Sequence, residues 1–300
     1  MSIKGIGLGP STAQCDSRGK VDEQVADHYG GDLERESAAT LVQRIDAALR
    51  ETGWKDPIPT AILATLDQFH VGGLQSTLEL ARMAQIRRGE RVIDIGSGLG
   101  GPSRYLAEAF ECQVLGIDLS PYFVAASTYL AGRSGLKDKV SYVCASALDL
   151  PASAVGFDLA WTQHVAMNIE DRAGLYRSVF NALNPGGRFA IHDIVAGEQG
   201  SPHYPLPWAR WASTSFLLSP ADMRSVLERT GFKVVHWMDQ TAAALAWFQQ
   251  QAAAPEAHSG SKPLGLSLAM GPDFPQLLSN LARSLREGRV GIVQAVLVRP

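Results

Sequence analysis

Cysteine, clustered positive charge and long apolar runs are all scarce in this chain, and each shortage removes a class of function. Cys15, Cys112 and Cys144 are the only three cysteines in 300 residues. They form no C-x-x-C pair and cannot all be paired, which argues against a disulfide framework or a zinc site and makes a reducing cytoplasm the expected home. With 27 Lys+Arg against 30 Asp+Glu the formal net charge is -3, so the basic excess of a nucleic-acid binder is missing. No segment approaches the roughly 18 consecutive apolar residues of a membrane span, and the first residues lack the apolar core of a signal peptide. No internal repeat is visible. What remains is a globular chain, 46% hydrophobic, long enough for one enlarged domain or one domain plus a cap.

Residues 1–20, rich in Gly, Ser and Thr without periodicity, read as a flexible tail. Residues 21–87 read as an N-terminal helical cap. Leu41, Ile45, Ala48 and Leu49 recur at helical spacing within about 34–51, and Leu74, Leu78, Ala81 and Ile86 do so within about 74–87. From 88 to 300 strands and helices alternate: strands near 91–95, 112–117, 139–144, 157–162 and 187–193, with helices near 101–110, 121–132 and 171–183 between them. That order predicts an α/β, doubly wound, mostly parallel sheet covered on both faces. A helix from Ser219-Pro220 to Gly231, a strand over 232–238, a helix over about 276–287 and a strand over 291–298 follow. Two stretches interrupt the core as expected lid insertions. One, about 195–218, is rich in proline and aromatics; the other, about 250–275, is rich in Ala, Gly, Ser and Pro.

The first strand runs into Val-Ile-Asp-Ile-Gly-Ser-Gly-Leu-Gly-Gly at 92–101, and Asp118 ends the next apolar run. A glycine-rich strand-to-helix turn lets a ligand approach unpaired helix N–H groups, while an acid one strand later accepts ribose hydroxyls. Gly96, Ser97, Gly98, Asp118 and Leu119 are therefore candidate contacts to an adenosine-containing cofactor. Gly96, Gly98 and Gly101 also fit G-x-G-x-x-G, a weak match that keeps a nicotinamide cofactor open. Four features favour S-adenosylmethionine instead. Asp94 sits two residues before the first glycine, where it can bond backbone amides of the turn or meet an amino group. Ser146 and Ala147 follow the third strand, placed to border an adenine; Asn184-Pro185-Gly186-Gly187-Arg188 leads into a buried strand; and about 90 residues precede the core.

With these motifs in place the chain resembles the class I S-adenosylmethionine-dependent methyltransferases, from roughly Asp67 to the C-terminus. Within the class it is most similar to the small-molecule sarcosine/dimethylglycine N-methyltransferases and more distantly to quinone and tocopherol C-methyltransferases. The segments that carry this finer likeness are Asp67-Gln68-Phe69-His70-Val71-Gly72-Gly73 and Gln163-His164-Val165-Ala166-Met167-Asn168-Ile169. The resemblance implies a seven-stranded, Rossmann-like sheet with an antiparallel last strand, and S-adenosyl-L-methionine as cofactor with S-adenosyl-L-homocysteine as product. It adds Gln68 and Gln163 to the cofactor set and implies no metal. Many members carry Asp where Ser146 stands, so here the adenine contact would fall to backbone amides.

Transfer of a methyl group from a sulfonium is an in-line displacement, so the protein mainly aligns the groups and excludes water. His164, after the fourth strand, could orient the acceptor or take its proton, or could simply bond backbone at a strand end. Asn168 is a second candidate or a turn residue, and Met167 lies beside it. His192 and Asp193, at the end of the fifth strand, either pair with each other or face substrate. Tyr29, beside His28, belongs to a flank that folds over the cofactor in relatives. Tyr204, Trp208 and Trp211 could form an aromatic box for an ammonium or pack a lid onto the core. Arg104 reads as a solvated surface residue. The expected partner is a small-molecule methyl acceptor, methylated at N, C or O, with no nucleic acid and no membrane span; a homodimer through the C-terminal insertion stays open. A NAD-dependent oxidoreductase and a non-catalytic S-adenosylmethionine-binding module are the alternatives.

Overall fold

The computed structural model describes residues 38–253 and 264–300. The tail at 1–20, the start of the cap, Tyr29 and His28 lie outside the described residues. Seven strands form one sheet in the order β3-β2-β1-β4-β5-β7-β6, comprising β1 Arg91–Ile95, β2 Gln113–Asp118, β3 Val140–Cys144, β4 Phe157–Gln163, β5 Leu183–Ala196, β6 Lys233–Asp239 and β7 Val290–Val298. Strands β1 to β5 pair in parallel, and β7 runs antiparallel between β5 and β6. This is the seven-stranded, Rossmann-like sheet implied by the alternating pattern and the resemblance.

Both faces of the sheet are buried, and the two-residue strand period sorts side chains between them. Ala160, Phe189 and Ile191 join one core with Leu175, Tyr176 and Val179 of α6 (Arg172–Ala182). Their neighbours Leu159, Trp161 and Ala190 join the opposite core with Leu80 and Ala81 of α3 (Gly73–Met83) and Leu106 of α4 (Gly101–Phe110). A third cluster packs Leu41, Ile45 and Leu49 of α1 (Ala38–Thr52) onto Phe123 and Leu130 of α5 (Pro121–Arg133). The helix starts follow local chemistry: Ser120 accepts from the Phe123 N–H with Pro121 next, Asp171 from the Gly174 N–H, and Ser219 from the Asp222 N–H ahead of α7 (Pro220–Thr230).

Several elements differ from the sequence expectation. Strand β5 spans Leu183–Ala196 rather than 187–193, because β7 supplies antiparallel partners along it from Arg188 to Ala196. Helix α2, Thr60–Asp67, is unannounced in sequence: TAILATLD is too short and too apolar to show a polar face. Helix α8, Thr241–Ala253, is likewise unannounced because its alanines make both faces look alike. The segment read as the second lid contains α9, Ser267–Met270, and leads into α10, Phe274–Arg286.

A further correction concerns charge. Arg104 is fully buried, not solvated: its guanidinium donates to Asp67 at 2.5 Å and to the Leu99 carbonyl at 2.7 Å, tying α2 to the helix that follows the glycine turn. Burial pushes the Asp67 carboxyl up to about 6 despite the opposing pull of Arg104. Cys112 is a buried free thiol, and Cys144 is disulfide-bonded. Among the described residues no helix is long and apolar enough to cross a membrane.

Candidate functional site

The carboxyl ends of β1, β2, β3 and β4 open into one cleft of about 1130 Å³, its mouth included. The glycine turn forms its floor. Gly96 N–H and Ser97 N–H both donate to the Ile117 carbonyl, at 2.7 and 3.0 Å, so the turn is sewn to the end of β2. A Cβ on Gly96 would lie 2.4 Å from Val165, so a glycine is needed there for the approach of the loop after β4 as well as for a ligand. Gly101 is required for a different contact: its Cβ would strike the Asp67 carbonyl at 2.5 Å.

Asp118 is held ready for a ligand. Its Oδ2 accepts from the Gly98 N–H at 2.7 Å and its Oδ1 from the Ser120 N–H at 2.9 Å. A carboxylate has about four acceptor sites, so lone pairs remain for hydroxyls in the cleft. Burial pushes this carboxyl up to about 6, against the amide bonds that pull it down. Leu119, Ser146 and Ala147 line the same end, and Ser146 Oγ accepts from the Leu148 N–H at 3.2 Å.

At the other end the loop after β4 enters. Trp161 Nε1–H donates to Gln163 Oε1 at 2.8 Å. An indole nitrogen only donates, so the amide orientation is settled, and Gln163 Nε2 is left buried without a hydrogen-bond partner beside the cleft. His164 has φ 55, a left-handed conformation uncommon outside glycine. Its N–H donates to the His192 carbonyl at 2.8 Å, and Asp193 Oδ2 accepts from the Ala166 N–H at 3.0 Å, so β5 clamps the loop in that shape. His192 and Asp193 therefore do not pair with each other; adjacent strand residues face opposite sides.

His164 is one of three packed imidazoles. Its ring stacks on His192 with centroids 5.0 Å apart and planes 6° from parallel, and His70 meets both rings edge-on at 6.1 and 5.7 Å. His192 Nε2 lies 3.1 Å from the Val71 carbonyl and His70 Nε2 2.9 Å from the Gly73 carbonyl. A carbonyl can only accept, so both Nε2 atoms carry the proton. His192 Nδ1 and His164 Nε2 are buried without partners. Burial drives all three to the neutral form, His192 to about 4, His70 to about 3 and His164 well below its ordinary value. Among the described residues no group of three or more ligating side chains is placed to hold a metal ion.

The sequence candidates divide accordingly. Gly96, Gly98, Asp118, Leu119, Ser146, Ala147, Gln163, His164, Met167, Asn168 and Trp208 line the cleft. Asp94, Ser97, Gln68, His192 and Tyr204 are not among its lining residues. Asp94 bonds neither turn amides nor the cleft: it is 2% exposed and accepts from Ser103 Oγ at 2.5 Å. Burial pushes it up to about 7, with the Ser103 hydroxyl pulling down and the Asp118 charge pushing further up. Gln68 Oε1 accepts from Thr77 Oγ1 at 2.9 Å inside the cap. The aromatic box does not assemble, since Tyr204 packs in the core beside β7 and Trp211 is 71% exposed. Phe69, Phe123, Pro207, Met270 and Phe274 line the cleft unforeseen. Phe69 lies in the Asp67–Gly73 segment, and Pro207, Met270 and Phe274 lie in the two expected lid insertions, which gave the region but not the residues.

Residues 93–191 match the methyltransferase domain family. Tocopherol O-methyltransferase of Arabidopsis thaliana is 36% identical over 115 residues, 37% of this chain and 33% of that protein. Among solved structures, phosphoethanolamine N-methyltransferase 2 of Haemonchus contortus, in complex with phosphomonomethylethanolamine and S-adenosylhomocysteine, superposes with a TM-score of 0.63 at 21% identity. The likeness covers 77% of this chain and 54% of that one. The [4+2]-cyclase SpnF gives a TM-score of 0.59 at 23% identity, covering 75% and 81%. The chain spans between 24% and 64% of the length of the first five curated relatives it matches. These matches favour methyl transfer over the nicotinamide alternative. Residues 93–191 thus carry a methyltransferase domain, and the sheet around it has the Rossmann-like fold of the solved methyltransferases it resembles.

Proposed function

We propose that this protein binds S-adenosylmethionine in the cleft and transfers its methyl group to a small-molecule acceptor. The observation that carries the reading is the pairing of Asp118, with acceptor sites to spare, and the glycine turn stitched beneath it. Asp118 would hold the ribose, with Leu119, Ser146 and Ala147 around the adenine. Gln163, its amide N–H groups aimed by Trp161, would donate to the amino-acid end. When bound, the cofactor supplies an electrophilic methyl on sulfur. The chain's own part is alignment and exclusion of water. His164 would orient the acceptor by accepting a hydrogen bond, with Asn168 and Met167 beside it. Asp94, Ser97, Gln68 and His192 would act through the residues they hold, Tyr204 would support the segment that carries Pro207 and Trp208 from the core, and Tyr29 would contact the acceptor.

Calorimetric titration with S-adenosylhomocysteine tests the reading: micromolar binding is expected, and no binding up to millimolar ligand would end it. Turnover separates this reading from a non-catalytic cofactor-binding module, because only a methyltransferase releases S-adenosylhomocysteine when an acceptor is added. A cytoplasmic setting, the absence of a nucleic-acid partner and a homodimer complete the proposal. Sedimentation of the pure chain checks the last of these, and thiol titration with and without reductant checks whether Cys144 stays oxidised in that setting.

A further inference from the structure

The nucleotide half of the cleft contains the polar groups a cofactor needs, and the remaining wall has a different character. Met167, Pro207, Trp208, Met270 and Phe274 supply it from three separate segments. Met167 and Trp208 are 2% and 1% exposed. The one polar atom of Trp208 is already engaged, its Nε1–H donating to Ser215 Oγ at 2.9 Å, so the ring offers only carbon to the cleft. Among the described residues that line the cleft, none is Lys, Arg or Glu, and Asp118 is the lone acid. Arg210, two residues beyond Trp208, is paired with Asp273 at 2.9 Å. The histidines add no charge, since burial holds His164, His192 and His70 neutral.

From this lining we infer that the methyl acceptor is an uncharged, predominantly apolar molecule with a single polar group that meets His164. The inference rests on the cofactor reading above, which assigns Asp118 to the ribose. Among the described lining residues an anionic acceptor would find no cation to replace its water, and an unpaired buried charge costs several kcal/mol. In this wall a cationic acceptor would have the rings of Trp208 and Phe274, where a cation–π contact contributes about 0.5–2 kcal/mol, too little to offset that cost. The two thioethers, Met167 and Met270, are pliable enough to fit an irregular apolar body.

The test uses three probes of one size, 2-naphthol, 2-naphthoate and 2-naphthylmethylammonium, titrated at pH 7.5 into the protein saturated with S-adenosylhomocysteine. The neutral naphthol should bind at least tenfold more tightly than either charged probe. Met270→Lys, at a part-exposed position of the wall, should shift the preference at least tenfold toward naphthoate while S-adenosylhomocysteine affinity stays unchanged. Phe274→Lys gives the same reversal at a second position if the first variant folds poorly. Failure of S-adenosylhomocysteine itself to bind would overturn the cofactor reading and this inference together. Normal S-adenosylhomocysteine binding, with naphthol not binding or a charged probe binding equally or more tightly, would overturn this inference alone.

Discussion

The two halves of the cleft are built by different means. The nucleotide half is local: its floor and rim run from Gly96 to Leu148, through consecutive strand ends whose backbone amides bond one another and Asp118. The acceptor half joins the His164 loop to Pro207-Trp208 and to Met270 and Phe274, segments up to about a hundred residues away, and is lined mainly by carbon. A polar site made of backbone groups requires particular residues at fixed spacing. An apolar wall can be made of almost any large side chains, provided the fold brings them together. The difference predicts that substitutions in the first half act sharply on cofactor affinity, and those in the second act on acceptor choice.

The largest expected effect lies beneath the nucleotide half. Arg104→Leu leaves Asp67 buried and unpaired, a loss of about 3–5 kcal/mol, and should lower the thermal midpoint by roughly 10 °C. Replacing both partners by leucine should restore most of it, and a double variant as unstable as the single would show that the pair is not the cause. Next comes Gly96→Ala, whose Cβ has to displace Val165. An overpacking cost of roughly 2 kcal/mol corresponds to about thirtyfold weaker S-adenosylhomocysteine binding. Gly53→Ala, at φ 72 with nothing nearby, should leave that affinity unchanged. Equal affinities in both variants would show that Gly96 is not part of the site.

A pH series sharpens the role of Asp118. Ribose hydroxyls donate to the ionised carboxylate, whose value in the free protein is raised to about 6. Below that pH the proton has to leave before the ligand binds, so affinity should fall about tenfold per unit as pH drops and level off above. Asp118→Asn should bind weakly at every pH; a slope that survives the substitution would assign the titration to another group. The smallest effect is Trp161→Phe, which frees the Gln163 amide to rotate. Loss of one hydrogen bond of about 1 kcal/mol should weaken S-adenosylhomocysteine binding about fivefold, read by the same titration, and unchanged binding would show that Gln163 needs no lock.

Legibility in the sequence follows the same division. Strand alternation, the glycine turn and Asp118 were readable because each depends on near neighbours in the chain and on a fixed period. Asp94 was readable as a special acid but not in its role: it bonds Ser103 on the following helix and never reaches the cleft lining. Arg104 looked like an ordinary surface residue, since its partner Asp67 lies 37 positions upstream. His164 was visible at a strand end, but its stacking on His192 and the neutrality of the histidine trio come from strand pairing and burial.

By itself the sequence determined the sheet, the nucleotide half and the family likeness, because hydrophobic period, glycine geometry and a carboxylate at a strand end act over a few residues. The tertiary structure alone decided the character of the acceptor half. Helix α9 and Pro207-Trp208 converge on the His164 loop there, and that the described lining holds no Lys or Arg becomes visible only once those segments meet. Burial then did what no local pattern records: it stripped the charge from three histidines and left an apolar wall facing a polar floor.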